Sequence, residues 1–172
     1  TTTGGALTQA APAAITSTSG NIALSAPAVT QNGAFQPGAP PTVGVTATAG
    51  AITMIAGATT TTDTGAITYS AATSIAVAAI SATSGNLTLT ATNGAITDST
   101  AAETPNLATT GHTALTTATG IGASGAADID TSVNTIEATN TTSGAIYLQE
   151  VNALTITGAG VRTLAGLSLI HI

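Results

Sequence analysis

Residues 84–98 read SGNLTLTATNGAITD, and their alternation decides the fold. Leu87 and Leu89 lie on one side of an extended chain and Thr88 and Thr90 on the other, and Ile96 repeats the pattern between Ala95 and Thr97. A period of two marks a strand with one buried face. Near-copies recur as SGNIALSA from Ser19, AGAITMIA from Ala49, TGAITYSA from Thr64, NGAITDST from Asn93 and SGAIYLQE from Ser143. The phrase glycines stand at 20, 50, 65, 85, 94 and 144, so the steps are uneven: 30, 15, 20, 9 and 50. Weaker strands fill the gaps at Val43 with Val45, Ile75 with Val77, Leu115, Ile129, residues 133–136, and Leu154 with Ile156.

Each phrase follows one physical logic. Glycine can turn the corner with a positive φ, and β-branched Ile and Thr suit the pleated surface that follows. One such strand cannot bury its apolar side alone. Strands stacked turn upon turn can, with backbone hydrogen bonds running along the stack. The chain therefore reads as all-β, a right-handed parallel β-helix (β-solenoid), and as a fragment without natural caps. Rungs of about 20 residues at a strand spacing of about 4.8 Å predict eight or so rungs and a rod of roughly 40 Å. Proline-bearing QPGAPPT (residues 36–42), AAETPN (101–106) and the glycine-rich TGIGASGAA (119–127) read as loops between strands.

Composition narrows the function classes. Thr and Ala make up a little under half of the 172 residues, charged residues 5% and aromatics 2%, with no Cys or Trp. One basic residue, Arg162, faces seven acids for a net charge of -6. No basic patch can form, so nucleic acid is not an expected partner. The mean hydropathy of +0.44 comes largely from Ala, and no apolar run reaches the roughly 18–20 residues of a membrane-spanning helix. The chain opens on Thr1, and Met54 is its only Met, so it reads as a piece of something longer. The last six residues, LSLIHI (167–172), resemble a translated sequencing adapter. On that reading the repeat segment spans 1–166 and 167–172 is a non-native tail.

The run from Gly50 to Asp98, with GIGASGAADIDT, VNTIEATNTTSGAIYLQE and NALTITG between Gly111 and Gly158, resembles the repeat region of large bacterial surface proteins of the filamentous-haemagglutinin and autotransporter-adhesin kind. The resemblance implies secretion, a parallel β-helix and a stalk for adhesion at the bacterial cell surface. Contact with a host or neighbouring cell would run through other parts of the parent protein. Bare strand edges at the ends of an isolated segment predict end-to-end self-association.

Other architectures and roles make different predictions. Immunoglobulin-like β-sandwich modules would show hairpins between neighbouring strands and one dense core per 80–100 residues or so. Paired threonines on a flat face would suit ice; Thr88 with Thr90 and Thr155 with Thr157 fit, whereas Ala23 with Ser25 and Tyr147 with Gln149 do not. A polysaccharide-degrading β-helix enzyme needs convergent titratable groups. The supply is Asp63, Asp98, Glu103, Asp128, Asp130, Glu137 and Glu150, with His112 in TTGHTAL reading as an exposed turn residue and Arg162 beyond the last clear strand. No catalytic residue, cofactor-binding motif or cofactor is expected. Asp128 and Asp130 flank Ile129 and would leave the same strand face; two carboxylates so placed could hold Ca²⁺, although a solvated pair is the simpler expectation and no metal is assigned.

Overall fold

The computed structural model describes residues 4–38, 41–164 and 170–171. Among them every element is a strand and every strand pairing is parallel. Consecutive strands do not pair as hairpins; each lies on the strand one turn earlier. The chain is a β-solenoid, and the immunoglobulin-like alternative fails on this pairing.

Three ladders run along the coil. The first stacks Leu7, Val29, Ile52, Ile75, Ile96, Ile121 and Ile146. The second stacks Ile15, Phe35, Thr60, Ile80, Leu107 and Thr131. The third stacks Ile22, Val43, Ile67, Leu87, Thr113, Ile136 and Ile156, with successive partners 20 to 26 residues apart. The coil therefore has seven turns where the sequence predicted about eight, because the loops lengthen several rungs beyond 20 residues. Seven turns set the first and last about 30 Å apart.

The ladders also explain the uneven spacing of the glycine phrases. Those opening at Ser19, Thr64 and Ser84 feed the third ladder through Ile22, Ile67 and Leu87, whereas those at Ala49, Asn93 and Ser143 feed the first through Ile52, Ile96 and Ile146. The steps of 15 and 9 are moves from one ladder to the other.

Alternation sets the interior: in Leu87–Ala91 the residues Leu87, Leu89 and Ala91 are buried and the threonines between them are not. One interior column is Leu24, Val45, Tyr69, Leu89, Leu115 and Ala138, and beside it runs Ala26, Ala47, Ala71 and Ala91, continued by Thr117 and Asn140. Such stacking removes aliphatic surface from water rung by rung.

The phrase glycines work differently from the sequence expectation. Gly20 and Gly144 have positive φ, but Gly50, Gly65, Gly85 and Gly94 do not. Gly65 and Gly85 are needed because successive turns touch there. A Cβ on Gly65 would lie 1.0 Å from the Pro41 carbonyl oxygen, and one on Gly85 would lie 2.0 Å from that of Gly65.

A polar knot is closed inside the coil. The Tyr69 hydroxyl donates to Gln31 Oε1 at 2.6 Å and lies 2.7 Å from Thr60 Oγ1, while Gln31 Nε2 donates to the carbonyls of Gly33 (3.1 Å) and Thr59 (2.9 Å). Burial pushes the Tyr69 phenol well above the ordinary tyrosine range, against a smaller opposing effect of the Thr60 hydrogen bond. One turn below Gln31, Gln9 Oε1 accepts from the backbone N–H of Gly33 at 3.1 Å.

Of the proposed tail, residues 167–169 and 172 lie outside the described residues. Ile170–His171 is a short strand paired with Ile146 and Tyr147.

Candidate functional site

The seven acids fall into distinct environments. Asp63 is exposed at a corner. Asp98 is held through one oxygen: its Oδ1 accepts from the Thr100 N–H at 2.7 Å, the Thr100 hydroxyl at 2.9 Å and Asn106 Nδ2 at 2.8 Å. Glu150 accepts from the Thr131 hydroxyl at 2.8 Å and from the backbone N–H of Val133 and Asn152, each at 3.2 Å. The carboxylates of Asp98 and Glu150 tie loops to strands.

His112 is not the exposed turn residue that its sequence suggested. It sits half-buried in the strand Leu107–Thr117, where the register shifts between Thr109 and His112. Its Nδ1 lies 3.3 Å from both Thr135 Oγ1 and Thr157 Oγ1, and its Nε2 lies 3.6 Å from Glu137 Oε1. Glu137 Oε2 in turn accepts the Ala159 N–H at 3.0 Å. That backbone N–H holds the Glu137 carboxyl below its usual range, with His112 and Arg162 adding to the effect and partial burial opposing it. Nε2 to Oε1 is too long for a hydrogen bond, so the group is a surface clasp that fastens the strand Thr155–Thr163.

The remaining three acids converge. Glu103 stands on the exposed loop 99–106, Asp128 ends the loop 122–128, and Asp130 lies on the strand Ile129–Asn140. One oxygen from each lies within 4.8 Å of the others, and among the described residues these three could hold a metal ion. Asp128 and Asp130 are not the solvated pair that alternation predicted: they are 7% and 2% exposed. The two loops leave adjacent turns on the same side and cover them.

The strand is fixed beneath. Asn106 donates its N–H to the Asp130 carbonyl at 2.8 Å and accepts the Asp130 N–H on Oδ1 at 2.9 Å. Yet Oδ1 of Asp128 and Oδ1 of Asp130 are buried and accept no hydrogen bond. Burial, then the nearby carboxylates of Glu103, Asp128 and Asp98, push the Asp130 carboxyl up to about 6. Gln149, one turn on, donates weakly to Glu103 Oε2 at 3.4 Å, and Tyr147 lines the same cleft.

Sequence reasoning paired Asp128 with Asp130 but left out Glu103. The missing signal was the rung length: Glu103 precedes Asp128 by 25 residues, about one turn of this coil.

The threonine rows are interrupted. Thr88 stacks with Thr68 and Ala114 and then Glu137, and Thr90 with Ser70, Thr116 and Thr139 and then Arg162; Thr155 pairs with Thr135 and continues neither row. No helix among the described residues is long and apolar enough to cross a membrane. No protein-family model, curated protein or solved structure matches the chain.

Proposed function

We propose that this solenoid is a structural repeat segment of a secreted bacterial surface adhesin, an elongated rod that holds other parts of the parent protein away from the cell. The observation that carries this reading is the set of three parallel ladders, each turn stacked on the one before, around an interior rich in Ala, Val, Ile and Leu. The repeat phrases resemble those of such adhesins, and the glycines at 65, 85, 94 and 144 lie where successive turns stack closely.

The segment catalyses nothing in this reading. Asp98, Glu137 and Glu150 are engaged by donors from their own fold, and His112 is held between two threonines and a carboxylate. None of these groups faces an aromatic-lined sugar cleft: Phe35 and Tyr69 are interior, and Tyr147 stands alone in the cleft of Glu103 and Asp128.

Antibodies raised against the segment should label intact cells that make the parent protein, and disrupting its gene should reduce their adherence. Labelling only after permeabilisation would overturn the surface assignment. Release of reducing ends from any member of a polysaccharide panel would overturn the passive role.

A further inference from the structure

We propose that Glu103, Asp128 and Asp130 form a binding site for a hard divalent cation, Ca²⁺ in preference to Mg²⁺, that fastens two loops of successive turns to the coil. Oxygens within 4.8 Å of one another can share a central ion at the 2.3–2.6 Å typical of Ca²⁺–oxygen bonds. All three donors are carboxylate oxygens, with no His or Cys among them, which suits Ca²⁺ and disfavours softer transition metals. They come from two loops and a strand, a flexible arrangement that tolerates the irregular shell of Ca²⁺ better than the octahedron demanded by Mg²⁺.

The second observation is the state of the buried oxygens. Oδ1 of Asp128 and Oδ1 of Asp130 are shut from solvent without a donor, and both residues belong to the convergent group. The other buried side-chain oxygens without a partner, Thr113 Oγ1, Thr117 Oγ1 and Asn140 Oδ1, belong to neutral groups; among the described residues only Asp128 and Asp130 leave a carboxylate oxygen so placed. Three converging carboxylates also need countercharge. The single basic side chain of the chain, Arg162, lies near Glu137 at the far clasp. A bound cation meets both needs at once, and it would join loop 99–106 to loop 122–128 one turn above. This inference does not depend on where the protein resides.

The test begins with protein stripped by EDTA and returned to neutral buffer. Added Ca²⁺ should raise Tm in a saturable way, and calorimetry should give one site per chain. Glu103→Gln and Asp128→Asn should each weaken binding about tenfold or more, whereas Asp63→Asn, remote and exposed, should leave it unchanged. In EDTA the order should reverse, with Glu103→Gln melting no lower than the parent because a repelling charge has gone. Tyr147 lines the cleft, so bound Tb³⁺ should show tyrosine-sensitised emission that Ca²⁺ competes away and Tyr147→Phe abolishes.

Circular dichroism in EDTA checks that each variant still folds. Should Asp128→Asn fail to fold, Glu103→Gln on the exposed loop carries the test. A Tm indifferent to Ca²⁺, an equal response to Mg²⁺, or binding equally weakened by Asp63→Asn would overturn the proposal.

Discussion

Substituting Gly85 by Ala should do far more harm than a single methyl suggests. Its Cβ would fall 2.0 Å from the Gly65 carbonyl oxygen and 2.5 Å from its carbon, both backbone atoms of the preceding turn. No rotamer relieves the clash; the two turns must part by about 1 Å to restore ordinary contact. That separation strains the bonds on either side, Ser84 N–H to Asp63 O and Ile67 N–H to Asn86 O, both 2.9 Å. Each ladder bond is worth about 1 kcal/mol net and overpacking typically costs about 1–3 kcal/mol, so a loss of about 3–5 kcal/mol is expected. Gly44 supplies the control. It lies in the strand Val43–Ala47 without a positive φ, and a Cβ added there would meet no atom within 4 Å. Gly44→Ala should stabilise by about 0.4–1 kcal/mol through the unfolded chain. Urea unfolding followed by far-ultraviolet circular dichroism compares the midpoints of the two variants. If Gly85→Ala and Gly44→Ala shift the midpoint alike, close contact between turns is not what selects glycine at the corners.

The remaining expectations concern the interior and the edge. Tyr69→Phe should destabilise by about 1–2 kcal/mol, and pairing it with Gln31→Met, the residue found one turn on at Met54, should cost about 1 kcal/mol less than the two singles predict. Simple additivity in that cycle would refute the buried knot. The raised phenol of Tyr69 means that its contribution is present below the unfolded value of about 10 and is lost as pH climbs through the folded one. In a Tyr147→Phe background, phenolate absorbance should therefore appear only together with loss of ellipticity; phenolate in an intact coil would contradict the placement. On the strand Thr155–Thr163 Ile156 is 50% exposed, and Leu164 just beyond it 57%, so self-association is expected there and Ile156→Lys should lower the sedimenting mass. A monomer at high concentration before the substitution would remove that expectation.

The coil itself was legible because Ile, Leu and Thr alternate with a fixed period and glycine punctuates them. The three ladders were not legible. The phrases beginning at Ala49 and Thr64 look alike, yet they belong to different sides, and only pairing across turns separates them. The reason for glycine was also hidden: local sequence speaks of φ, whereas the Gly65–Gly85 contact is made by residues a full turn apart. Gln31 passed unnoticed because its partners Thr60 and Tyr69 lie 29 and 38 residues away. For the same reason the acidic group was half seen. Asp128 and Asp130 are neighbours in the chain, while Glu103 reaches them only through the pitch of the coil.

The side-by-side alanines at positions 26, 47, 71 and 91 have an evolutionary corollary. Because that seam is the same residue over four successive turns while the outer loops differ, a circuit of chain within it should be removable or duplicable by recombination at equivalent points, with the pieces rejoining flush. Length would then be inherited as a count of circuits, free to drift, and novelty would accumulate in the outward loops, where nothing beneath them has to change.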